Sequence, residues 1–103
     1  MSVLNITEEN FEQEVLQAKQ PVLLDFFAAW CGPCAALAPV IDGIAAQNPD
    51  LKVGKVDVDA QKALARRHKV LSVPTLMVFR DGAVTARASG VRSREDILAM
   101  TKA

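Results

Sequence analysis

Cys31 and Cys34 stand three positions apart in the segment Trp30-Cys31-Gly32-Pro33-Cys34, and the chain has no other cysteine. A bridge between them would close a very small loop and so constrain the unfolded chain little. Reactivity explains the pair better than architecture does. Residues three apart on a helix share one face, which brings the two sulfurs close enough to join. The chemistry this permits is thiol–disulfide exchange, in which a thiolate attacks a disulfide sulfur. Structural zinc is the rival use, but it usually takes four Cys or His ligands. The chain offers two cysteines and one distant histidine, His68, so no metal is expected.

The pair follows an apolar run, Val22-Leu23-Leu24-Asp25-Phe26-Phe27-Ala28, that reads as a strand covered on both faces. A helix opens at about Cys34. Unpaired backbone N–H groups at a helix start favour negative charge, so a thiolate placed there is stabilised. Cys31, at or just before the first turn, is expected to be the exposed nucleophile. Cys34, one turn further in, is expected to be more buried and to resolve the mixed disulfide. Pro33 suits the first turn, where a missing N–H does no harm. The second step needs a base for Cys34, and Asp25 is the candidate. Burial in its apolar strand should raise its pKa, which makes a carboxyl group useful in proton transfer near neutrality. The duller alternative for Asp25 is a solvated strand edge. Lys55 would partner Asp25 if their strands are adjacent; otherwise it is an ordinary exposed lysine.

The elements that must position these groups alternate along the chain. Val3 to Asn5 is a short first strand. Thr7 is placed to cap a helix opening with Glu8 and Glu9, along which Phe11, Val15 and Ala18 recur at helical spacing. The helix after the cysteines carries a stripe of Cys34, Leu37, Ala38, Ile41, Ile44 and Ala45, and Pro39 inside it predicts a kink. Leu51 to Val58 reads as a third strand, with Leu51, Val53, Lys55 and Asp57 on one face. Asp59 is placed to cap a short helix to about Arg67. Thr75 to Arg80 and Ala83 to Ser89 form a hairpin about Asp81-Gly82. Ser93 starts the last helix, with Asp96 three residues on as in a capping box. The expected fold is α/β in the order β-α-β-α-β-α-β-β-α, a mixed sheet with helices on both faces, in one domain over residues 1–103.

Composition narrows the function. Twelve basic and twelve acidic residues cancel, which gives no reason to expect nucleic-acid or anionic-membrane binding. Half the residues are hydrophobic, enough for a sizeable core. Glu8, Glu9, Glu12 and Glu14 near the start are unlike a secretion signal, so a cytoplasmic protein is expected. The most apolar stretch is interrupted by Asp25 and too short to cross a bilayer. A monomer is the simplest reading.

The chain resembles the thioredoxin family over essentially its whole length. The resemblance rests on Asp25 to Cys34, Ala38-Pro39, Lys55 to Asp59, Val73-Pro74-Thr75, the Asp81-Gly82 turn and Gly90, all in the family's order and spacing. It implies the family's five-stranded mixed sheet with four helices. It also implies a Cys31–Cys34 disulfide that cycles with the dithiol, Cys31 as nucleophile, Cys34 as resolving thiol, and Asp25 assisting Cys34 beside Lys55. Gly32 and Pro33 would tune the redox poise. Pro74 would be a cis-proline facing the cysteines. Val73 would pair with an extended substrate segment, and Trp30, Pro74 and Gly90 would form a docking surface. No cofactor would be bound; NADPH would act indirectly through a thioredoxin reductase, and the partners would be that reductase and proteins carrying disulfides. The chain departs from the common pattern at Phe27, Ala29, Ala35, His68 and Ser89, and His68 is expected on the surface of its helix. The competing functions are a binding module that uses the same face without turnover, and an oxidant or isomerase.

Overall fold

The computed structural model describes residues 3–103. Strand β1 is Leu4–Asn5, followed by a short wide helix α1 at Glu12–Leu16 and strand β2 at Val22–Phe27. The long helix α2 spans Gly32–Gln47, β3 Lys52–Asp57, α3 Lys62–Arg67, β4 Thr75–Arg80, β5 Ala83–Ser89 and α4 Arg94–Met100. The strands form one sheet in the order β1-β3-β2-β4-β5. Strands β1, β3 and β2 run parallel, and β4 and β5 run antiparallel to their neighbours, so the sheet is mixed as expected.

Alternation along the central strands makes two cores. Val22, Leu24 and Phe26 of β2 join Phe11, Val15, Leu64, Met77 and Phe79 on the side of α1 and α3. Leu23 joins Leu37, Ile41, Ile44, Leu76, Val78 and Ile97 on the side of α2 and α4. Successive strand side chains point to opposite faces. Asp25 therefore shares a face with Leu23, under the helix that carries the cysteines. A period-two pattern in one strand has placed a carboxyl group beneath the α2 entrance.

Gly54 sits in β3 between β1 and β2 and allows them to close over it. A Cβ there would lie 2.6 Å from Ile6 Cγ1 and 3.0 Å from Leu24 Cδ2. Ile6 and Leu24 are both fully buried, so neither can swing aside. Gly54→Ala is expected to cost about 1–3 kcal/mol by overpacking. A fall in the urea midpoint with an unchanged slope would show it; an unchanged midpoint would contradict it.

Local chemistry closes the other elements. Thr7 Oγ1 accepts from the Asn10 N–H at 3.3 Å, and Asn10 Oδ1 accepts from the Thr7 N–H at 2.8 Å. Thr7 thus closes a turn over residues 7–10, but it is not the cap of α1, whose N-cap is Phe11 with no side-chain hydrogen bond. The helix then widens, with Gln17 N–H reaching back five residues to Glu12 O at 2.9 Å. Asp81 and Gly82 both adopt positive φ, 51° and 82°, the conformation a two-residue hairpin needs to match strand twist. Ser93 Oγ accepts from the Asp96 N–H at 3.1 Å and caps α4. Helix α2 runs unbroken through Pro39, which is exposed. Ala38 is also exposed and lies outside the core stripe.

Two further expectations are corrected. Asp59 does not cap α3, whose N-cap is Gln61. Asp57 Oδ1 instead accepts from the backbone N–H groups of Asp59 and Ala60, at 2.9 and 3.3 Å. Glu8 reaches across from the first turn to accept from Ala63 N–H at 3.0 Å. His68 is half-buried, not a fully exposed helix residue: its ring packs 5.2, 5.9 and 5.7 Å from Phe11, Phe26 and Phe79. It fills the space an aromatic ring would fill, and its Nδ1 meets Leu64 O at 3.0 Å.

Candidate active site

Cys31 is the N-cap of α2, with extended backbone, and Pro33 lies in the first turn. Cys31 and Cys34 are joined by a disulfide, with their Cα atoms 5.2 Å apart. The Cys34 N–H donates to Cys31 Sγ at 3.1 Å. That donor is one of the unpaired N–H groups of the helix start, and it is aimed at the sulfur. When Cys31 carries a thiolate, the same contact becomes a charge-assisted hydrogen bond, which is stronger than a neutral one.

The expected contrast in exposure between the cysteines is small. Cys31 is 6% exposed and Cys34 is 4% exposed. Cys31 tucks under the loop before β4, and its sulfur lies 3.8 Å from the Val73 carbonyl oxygen. Ala28, Phe27, Val58 and Val73 complete an apolar surround for the pair.

Asp25 and Lys55 meet as sheet neighbours in register. Asp25 is 5% exposed, and its Oδ1 has no hydrogen-bond partner. Burial pushes its pKa up from 3.8 to about 6, and the Lys55 charge opposes part of that rise. Lys55 is exposed, with Nζ 5.9 Å above the Phe27 ring. A cavity of about 220 Å³ is lined by Asp25, Cys34, Ala35, Ala38 and Lys55 among others. It places the carboxyl group and the second cysteine on one wall system, beneath the small side chains of Ala35 and Ala38.

The surface around the disulfide collects the remaining residues singled out in the sequence. Trp30 is 73% exposed, and its Nε1–H donates to Asp59 Oδ2 at 2.8 Å. The Val73–Pro74 peptide is cis. Gly90 has φ +88° and donates its N–H to Pro74 O at 2.8 Å. A side chain at Gly90 would be strained by that φ. Ser89, the departure beside it, shares a polar contact with buried Thr75, their hydroxyl oxygens 3.3 Å apart. Gly32 is exposed, with nothing within 4 Å of a built Cβ.

Sequence reading missed three participants. Asp59 orients Trp30, a tertiary contact that no local pattern announces. Leu71 lines the hollow beside Trp30 and Val73, and Val91 follows Gly90 directly; they are 96% and 53% exposed. Their position two residues before Val73 and one after Gly90 was the available signal.

A sulfur pair at a helix mouth, reachable by another polypeptide, can exchange its bond with a second disulfide. The class is that of thiol–disulfide oxidoreductases. Residues 2–103 match the thioredoxin family model. The chain is 46% identical to a thioredoxin of Mycolicibacterium smegmatis over 96 residues, 90% of this chain and 86% of that protein. It is 41% identical to a thioredoxin of Pseudomonas aeruginosa over 102 residues, 98% of this chain and 94% of the other. A protein named thioredoxin 1 from Synechococcus elongatus is 50% identical over 78 residues, 75% of this chain and 73% of its own. The chain belongs to the thioredoxin family. It is a protein-disulfide reductase that cycles between a dithiol and the Cys31–Cys34 disulfide and serves redox homeostasis. Among the described residues, no helix is long and apolar enough to cross a membrane.

Proposed function

We propose that Cys31 attacks the substrate and that Cys34 resolves the adduct, with Asp25 moving the proton of Cys34. In the first exchange, Cys31 thiolate bonds to one substrate sulfur while the other leaves as a thiolate and takes up a proton. In the second, Cys34 gives its proton to ionised Asp25 and attacks Cys31 Sγ. The remaining substrate sulfur leaves, and two electrons have passed from the protein to the substrate. Lys55 biases Asp25 toward the ionised form. The observation that carries the order of attack is the Cys34 N–H aimed at Cys31 Sγ. Among the described residues, no equivalent helix-start donor is directed at the sulfur of Cys34, one turn further in.

Trp30, Val73, Pro74 and Gly90 hold the substrate as an extended strand beside the disulfide, with Gly32 and Pro33 setting the redox poise toward reduction. The chain acts as one domain and as a cytoplasmic monomer, recharged by an NADPH-dependent thioredoxin reductase. Support for strand addition comes from the cleft at Val73 and its exposed apolar rim.

The test is alkylation of the reduced protein at neutral pH with limiting iodoacetamide, read by peptide mapping. Cys31 should be modified well before Cys34. Equal or reversed labelling overturns the order. Reduction of insulin with dithiothreitol as electron source should be accelerated by the parent and not by Cys31→Ser. Consumption of NADPH in the presence of a bacterial thioredoxin reductase and insulin tests the recharging partner.

A further inference from the structure

Beside the Trp30 cleft lies an open groove of about 550 Å³ whose composition differs from the rest of the docking surface. Its apolar lining is Val58, Ala65 and Val70 with Leu71 exposed at the rim, and Lys62, Arg66 and Lys69 supply the rest of the lining. All three cations are exposed. Among the described residues, none of them pairs with a carboxylate. Among the described residues, no acidic side chain lines the groove; Glu8, Asp57 and Asp59 lie toward the start of α3, where they accept from backbone or indole N–H groups. The chain as a whole has no net charge. This cluster is therefore a local excess, not a sample of a basic protein.

The groove is continuous with the active-site cleft. Val58, Val70 and Leu71 also line the smaller hollow that holds Trp30, Ser72 and Val73. The segment joining the two is held in place. Lys69 adopts a left-handed φ of 55°, and Arg87 of β5 donates to the His68 and Lys69 carbonyl groups. A substrate strand lying beside Val73 and continuing past Leu71 would run along the wall that carries these cations.

We propose that this groove selects protein substrates whose disulfide is flanked by an apolar residue and then, further from the cysteine, by Asp or Glu. The inference rests on the disulfide-reductase reading and specifies its substrate class. Leu71 and Val70 take the apolar residue, and Lys62, Arg66 and Lys69 attract the acids. The attraction acts on encounter, so it raises the association rate and weakens with salt.

The test uses three peptides with the same disulfide and apolar flank, carrying two glutamates, two glutamines or two lysines at those positions. Second-order rate constants for their reduction by the pre-reduced protein are measured. The glutamate peptide should react about tenfold faster than the lysine peptide at low ionic strength. The ratio should fall below about twofold at ~1 M salt, where screening acts over about 3 Å. In the Lys62→Gln, Arg66→Gln, Lys69→Gln triple variant the ratio should approach unity. A control triple variant, Lys19→Gln, Arg94→Gln, Lys102→Gln, loses the same charge outside the groove and should keep the parent's ratio. Normal reduction of the glutamine peptide with no charge preference in the parent overturns the inference and leaves the reductase reading standing. So does an equal fall of the ratio in both triple variants. Failure to reduce any of the three peptides overturns the reductase reading itself, and this inference with it.

Discussion

Replacing Cys34 by serine is expected to stop turnover and leave substrate protein covalently attached to Cys31. The first exchange needs only the Cys31 thiolate, and its position as N-cap of α2 is unchanged by the substitution. The backbone N–H that donates to Cys31 Sγ belongs to residue 34 and survives in the variant. Adduct formation should therefore proceed. The second exchange fails because a serine hydroxyl is a poor nucleophile at neutral pH. Insulin reduction should fall by more than about a hundredfold. Mass spectrometry of the reaction should find a mixed disulfide on Cys31 that dithiothreitol releases. Cys31→Ser, in contrast, should form almost no adduct. A variant pair in which serine at 31 traps substrate and serine at 34 does not would reverse the roles of the two sulfurs.

Much of this site was legible in the sequence because its main determinants are local. Spacing along one helix put Cys31 and Cys34 within bonding range, and the helix start supplied the donor. An acid inside an otherwise apolar strand marked Asp25 for burial, which the unpartnered Oδ1 reflects. Strand alternation also placed Lys55 on one face with Leu51 and Val53. What it could not supply was sheet order. The Asp25–Lys55 register follows from β3 lying beside β2, a consequence of the parallel crossover through α2.

The misses share a cause. Asp59 looked like a cap because it precedes a helix, yet its carboxylate is taken by Trp30, 29 residues earlier. His68 looked like a surface residue because histidine is polar and α3 is short. Three phenylalanines from α1, β2 and β4 surround it, and only the packed sheet brings them together. Cys31 was expected to be open because it sits at a helix mouth. The loop before β4 covers it instead, and nothing near Cys31 in the sequence encodes that loop's path. Local rules located the reactive groups, while long-range packing decided their exposure and partners.

Asp25→Asn should make the protein more stable at neutral pH and slower in the second exchange. The stability effect follows from burial. The folded carboxyl group holds its proton more tightly than the unfolded one, with a pKa raised from 3.8 to about 6. Its stabilising contribution is complete below the unfolded value and is lost as pH climbs through about 6. Above that, the parent carries an ionised carboxylate that is almost fully buried. Asparagine has nearly the same shape and no charge. By linkage, the variant's advantage should grow from near zero at pH 4 to at most about 3 kcal/mol at pH 8. Urea melts of oxidised parent and variant across that range would measure it; parallel curves would show that Asp25 does not titrate between them. The kinetic effect has the opposite sign for function. At pH 7, above its raised pKa of about 6, folded Asp25 is mostly ionised and free to take the Cys34 proton. Without it, Cys34 must lose its proton to water or buffer, and release of the mixed disulfide should slow by roughly tenfold or more. The first exchange involves no proton on Cys34 and should change little. Stopped-flow measurement separates the two steps. Equal slowing of both, or of neither, would remove Asp25 from proton transfer and leave its burial unexplained by the chemistry.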